Sequence, residues 1–181
     1  MSRCPRLRAL IDDWATQRPD DVPTVAGIVA AWVRNRDEEG MRFGETLLRF
    51  TLQRVPESIG ALLVLGDLTA ATGRSADNAQ VNRRILEIDP NNVIAINNMA
   101  WFPCEEQGQY QEALTLANRG LQYVPDYLDL IDTRGVAHYR LGNLAEAVKD
   151  FERFIGLCPS WAPSLATARF HLARAYAQME N

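Results

Sequence analysis

Four prolines, Pro56, Pro90, Pro125 and Pro159, divide the chain at intervals of 34, 35 and 34 residues. The text between them repeats. GQYQEALTLANRGLQYVP at 108–125 returns as GNLAEAVKDFERFIGLCP at 142–159. Each copy opens on a glycine, places Glu-Ala-aliphatic four to six residues on and closes on a proline. A short unit written several times cannot bury its apolar face within one copy, so neighbouring copies must cover one another. Pro19, 37 residues before Pro56, marks a looser earlier copy.

Each copy reads as two helices and a turn. Over Leu128–Trp161, Ile131, Ala137, Tyr139 and Leu141 belong to a first helix. Leu141-Gly142-Asn143 is a turn, and Ala147, Val148, Phe151, Phe154 and Ile155 recur at helical spacing before Pro159 stops the second helix. Gly135 and Ala147 stand where the two helices touch. No stretch alternates convincingly over several residues, so the expected class is all-α. The copy over 59–93 reads differently, with Asn78 and Asn82 where the packing alanine and the aromatic belong, unless a longer turn gives that place to Ala79.

Composition narrows the function classes. The 181 residues are 47% apolar, enough for a folded core, and carry a net charge of −4. That balance argues against a polyanion partner, which needs concentrated basic charge. The short cluster Arg3, Arg6, Arg8 lacks interleaved aromatics and reads as a solvated tail. No apolar run reaches the roughly 20 residues of a membrane span. No export leader is visible at the N-terminus, so the expectation is a cytoplasmic chain, or one that begins after its signal. Cys4, Cys104 and Cys158 form no CxxC, which argues against a disulfide scaffold or a zinc knot.

The repeats resemble the tetratricopeptide repeat. In Leu128–Trp161 the family's glycine matches Gly135, its turn glycine Gly142, its packing alanine Ala147, its aromatic Phe151 and its proline Pro159. Phe154 stands where alanine is usual, which implies a bulkier inter-repeat contact or a shifted one. The copy before keeps Gly108, Tyr110, Ala113, Leu121 and Pro125, with Trp101 where a small residue is usual and Gly120 in place of alanine. The resemblance implies a right-handed superhelical solenoid of antiparallel helix pairs. It divides the chain into a cap helix over 1–19 and a solenoid over 20–181, with repeats near 22–58, 59–93, 94–127 and 128–161 and a terminal single helix in 162–181. That last half-repeat reads as a segment of a longer solenoid. NNVIAINNMAW, LIDTRGVAHYRLGNLAEAV and ARFHLARAY are similar to phrases of large bacterial proteins tied to exopolysaccharide and exosortase-type export. If the chain comes from such a protein, an envelope or periplasmic setting follows.

In this family the first helices line a concave face that receives a peptide or a helix. Carried over, the groove positions are Asp67; Asn98 and Phe102; Asp132, Val136, Tyr139 and Arg140; and Phe170 and Arg174. Aromatic and arginine anchors suit such a surface. Arg140 and Arg174 could each fork a carboxylate. The family's clamp for C-terminal carboxylates is incomplete, because Asp132 stands where a basic group is expected. Trp101-Phe102-Pro103 is the main irregularity. Proline inside a helix removes a backbone bond and costs about 3 kcal/mol, so the helix either bends there or ends early, with burial of Trp101 as the offset.

No catalytic set emerges. His138 and His171, the two histidines, lack a third ligand and read as partly buried, hydrogen-bonded residues. Cys104 and Cys158 lack a base and read as packing residues. Asp12-Asp13, Asp20-Asp21 and Glu105-Glu106 are adjacent pairs that do not share a helix face, and Asp20, Asp21, Asn91 and Asn92 suit turns and N-caps. No phosphate-cradling glycine motif is present. The expected function is a non-catalytic scaffold for a protein or peptide partner, with no cofactor, no metal and no nucleic acid. The alternatives are self-association through exposed terminal helices and, more remotely, an enzyme with a site assembled across repeats.

Overall fold

The computed structural model describes residues 21–106 and 108–180, with positions 9, 13, 17 and 18 ahead of them. Most of the expected cap helix, with Cys4 and the Arg3, Arg6, Arg8 cluster, lies outside the described residues. Among those described, the chain is all-α, with nine helices and no strand. It forms two compact units. The first holds α1 (Val22–Arg34), α2 (Glu38–Arg54), α3 (Ile59–Ala71) and α4 (Ser75–Ile88). The second holds α5 (Val93–Glu106), α6 (Tyr110–Tyr123), α7 (Leu128–Arg140), α8 (Leu144–Leu157) and α9 (Ser164–Met179). Within each unit, successive helices pack as neighbours. First helices also touch first helices: α1 meets α3, and α7 meets both α5 and α9. No described helix is long and apolar enough to cross a membrane.

The turns inside the helix pairs share a residue with positive φ. Gly73, Gly108 and Gly142 hold φ of 70°, 66° and 79°, in the left-handed region that glycine enters without steric cost. Gly142 N–H donates to the Tyr139 carbonyl at 3.1 Å and Asn143 N–H to that of His138 at 2.9 Å. This is the paired closure of a Schellman cap. Gly73 and Arg74 close α3 the same way. In the first pair the place is taken by Arg36, at φ 51°, with the same two bonds. Helix starts are capped by short polar side chains. Asp21 accepts from Thr24 Oγ1 at 2.9 Å, Asp37 from Gly40 N–H at 3.1 Å and Asn92 from Ala95 N–H at 3.2 Å.

Small residues let the helices close. A Cβ on Gly135 would stand 2.7 Å from the Phe151 ring, and Phe151 is fully buried there. Burial of such a ring is worth about 2–3 kcal/mol. Phe154 is buried as well. In the first unit Asn78 takes the alanine place, three residues into its helix like Ala113 and Ala147, so the longer-turn alternative with Ala79 does not hold. Asn78 Nδ2 donates 2.7 Å to the Gly66 carbonyl, and Asn82 Nδ2 donates 2.9 Å to the Asn78 carbonyl. Two amides thus replace an alanine and an aromatic.

The second helices are also tied to the loop that precedes their own helix pair. Arg84, Arg119 and Arg153 each stand six residues before a ruler proline. Arg84 donates to the Pro56 carbonyl at 2.9 Å, Arg119 to that of Pro90, and Arg153 to Asp126 Oδ1 at 2.7 Å.

The irregular helix α5 removes one alternative and corrects one expectation. It continues through Pro103 to Glu106, so it does not end at the proline. Trp101 is not buried either; it is 48% exposed. Both α5 and α7 begin three residues after a ruler proline, but Gly108 lies fifteen residues beyond its helix start and Gly142 fourteen. The extra residue is therefore absorbed late in α5. Counted from the start, Ala100, fully buried, takes the place of Gly135, and Trp101 takes that of Val136.

Candidate functional site

The second unit carries a cleft of about 290 Å³ to which its three first helices contribute. Trp101 and Cys104 come from α5, Asp132, Val136, Tyr139 and Arg140 from α7, and Thr167, His171 and Arg174 from α9. Phe151 of α8 lies behind them and joins the core of Cys104, Ala113, Leu114, Val136, Ala137 and Ala147. The 3.6-residue period places Asp132, Val136, Tyr139 and Arg140 on one face of α7.

Five of the nine groove positions carried over from the family converge here: Asp132, Val136, Tyr139, Arg140 and Arg174. Asn98 and Phe102 do not line the cleft, because the late extra residue turns Trp101 into it instead. Phe170 stands beside it, 58% exposed, with the Arg174 guanidinium 5.7 Å from its ring centre. Asp67 belongs to the first unit, where lost hydration pushes its carboxyl above the ordinary value. Trp101 and His171 were noted in the sequence but were not among the groove positions read from it. Counting forward from Pro90, rather than back from Gly108, brings Trp101 into register with Val136.

Charge and aromatic surface are interleaved. The Arg174 guanidinium lies 5.3 Å from the Tyr139 ring centre, and that of Arg140 lies 6.0 Å from Tyr110. Such contacts hold a cation over an aromatic face while leaving N–H donors for a ligand. His171 packs its ring 5.4 Å from Phe151, and its Nδ1 is buried with no hydrogen-bond partner among the described residues. The expectation of a bonded histidine fails at that atom. It fits His138 better: Asn143 Nδ2 lies 3.4 Å from Nδ1, and burial is the main cause of a lowered pKa. Cys104 and Cys158 are buried thiols. Among the described residues no group of three or more His, Cys, Asp or Glu is placed to hold a metal.

Two tetratricopeptide-repeat profiles match the chain, over residues 44–93 and 104–173. With the repeated turn and the interlocked helix pairs, they decide the family. The chain belongs to the tetratricopeptide repeat family. Proteins of this family are generally non-catalytic scaffolds. A TPR repeat-containing protein of Pseudomonas aeruginosa is 23% identical over 137 residues, which cover 76% of this chain. The chain spans 23% of that relative's length. Among solved structures, PilW, a type IV pilus biogenesis factor, superposes with a TM-score of 0.70 at 18% identity, over 85% of this chain and 71% of PilW. The first TPR domain of Spaghetti (RPAP3), bound to the HSP90 peptide SRMEEVD, superposes with a TM-score of 0.61 at 21% identity, over 69% and 95%. At these identities the likeness is one of fold.

Proposed function

We propose that this TPR protein is a binding scaffold whose second-unit cleft holds a short peptide segment of a partner protein. The observation that carries this reading is the convergence of Trp101, Tyr139, Arg140 and Arg174 on one cleft from three first helices. Trp101 and Val136 offer apolar surface, and the two arginines offer N–H donors to ligand carboxylates or carbonyls. The peptide-bound TPR neighbour supports the class of ligand. Asp132 argues against a clamp for a free C-terminal carboxylate, so an internal segment fits better. The phrases at 91–101, 130–148 and 168–176 make an envelope polysaccharide-export setting the first to test, through the gene's neighbours.

A peptide array probed with the full chain tests the reading. Tyr139→Ala with Arg140→Ala is expected to weaken the best peptide at least tenfold, about 1.4 kcal/mol. Unchanged affinity would place the site elsewhere. Self-association is the second reading, motivated by Trp161, Phe170 and Met179, which are 82%, 58% and 51% exposed. Light scattering across concentration separates the two, since a chain monomeric at high concentration leaves only the scaffold reading.

A further inference from the structure

The first unit carries a larger cleft, about 590 Å³, lined by α2, α3 and α4. The second unit shows what closes such a seam. There Arg134 of α7 forks Asp150 of α8, Nε to Oδ2 at 2.8 Å and Nη2 to Oδ1 at 2.6 Å. Its Nη1 also donates to Asn118 of α6 at 3.1 Å. The ruler prolines identify the counterparts. Asn118 lies seven residues before Pro125, and Arg49 seven before Pro56. Arg134 lies nine after Pro125, and Leu65 nine after Pro56. Asp150 lies nine before Pro159, and Val81 nine before Pro90. Arg49, Leu65 and Val81 all line the larger cleft. Where the second unit has a polar clip across three helices, the first has an apolar floor under an open seam.

The rim adds a preference. Three guanidinium groups, Arg49, Arg83 and Arg84, face two carboxylates, Asp77 and Glu87. Asp77 is held by Arg74 at 3.4 Å. Arg84 spends one nitrogen on the Pro56 carbonyl, and Arg49 spends Nε and Nη2 on Glu45. A guanidinium has five N–H donors, so donors remain. From Asp77 to Glu87 the rim runs about 15 Å along α4, the reach of four or five extended residues.

We propose that this cleft is a second docking site, separate from the one above, for a partner-protein segment that alternates apolar and acidic side chains. Apolar groups enter over Leu65 and Val81, and carboxylates meet the rim arginines.

The full chain is probed with an array of nonapeptides alternating Leu or Phe with Glu, each beside its Lys-for-Glu counterpart. The best peptide, fluorescein-labelled, is then titrated by anisotropy. The acidic series is expected to bind over the basic one. Leu65→Arg with Val81→Asp, which transplants the second unit's clip, is expected to cost at least tenfold in affinity. Arg83→Glu leaves the floor intact and is expected to cost as much, which keeps the test decisive if the transplant does not fold. Tyr139→Ala with Arg140→Ala is expected to leave this binding unchanged. Equal binding of the two series, affinity untouched by Arg83→Glu, or loss through the Tyr139 and Arg140 substitutions would overturn the proposal. So would displacement by laurate, or a concentration-dependent dimer abolished by the transplant, which would give the cleft to an amphiphile or to a second copy.

Discussion

Arg36 does the work of a glycine. Its left-handed backbone costs an L-residue about 1–2 kcal/mol, and Gly73, Gly108 and Gly142 avoid that at the matching turns. Arg36→Gly is expected to raise stability by about 1 kcal/mol, and Gly142→Ala to lower it by a similar amount. In a chain of this length that is about 2–4 °C in Tm each way, read by thermal unfolding. Glu45 makes a pH-dependent contribution. Its hydrogen bond to Arg74 is the largest cause holding its pKa below the ordinary 4.5. The folded carboxyl binds its proton less readily than the unfolded one, so this stability is full above about pH 4.5. It is lost as pH falls through the lowered folded value. Glu45→Gln is expected to flatten the acid side of the stability profile between those two values and to leave its slope near neutrality unchanged.

At the scale of elements, the seams between helix pairs carry the differences between repeats. Asp150 is buried between α7 and α8, and Arg134 answers it from an accessible position. Removing one member of such a pair strands the other, which costs about 3–5 kcal/mol when both are fully buried. Arg134 keeps some water, so Asp150→Ala is expected to cost about 2 kcal/mol in urea unfolding. Arg134→Leu with Asp150→Val, the first unit's residues, is expected to recover most of it. If the double substitution is as destabilised as the single one, the clip supplies more than mutual neutralisation. Helix α5 shows the opposite case, a single extra residue absorbed between Trp101 and Gly108. The proline spacing of 35 reveals that residue. Its location does not show, because it depends on which side chains fill the seam against α6 and α7.

For the whole molecule, the two proposed binding surfaces sit on prebuilt helices. Ligand capture is expected to leave the far-ultraviolet circular dichroism unchanged, because no segment has to fold on binding. Trp101, half exposed at the second-unit cleft, is expected to shift its emission to shorter wavelength as a peptide excludes water. Trp101→Phe is expected to remove that shift, and its persistence would assign it to another tryptophan.

Repeat length, the all-α class and the turn positions were readable from the sequence alone. Those depend on local rules: proline stops a helix, glycine tolerates positive φ, and apolar residues recur at the helical period. The six-residue step from arginine to proline also stands in the sequence, but only its hydrogen bonds single it out. That Trp101 rather than Phe102 lines the cleft was settled by packing. Packing likewise set the bonds of Asn78 and Asn82 in place of an alanine and an aromatic, and left one seam clipped where the other stands open. Each outcome depends on side chains from helices far apart in sequence competing for one volume, and no local pattern records the winner.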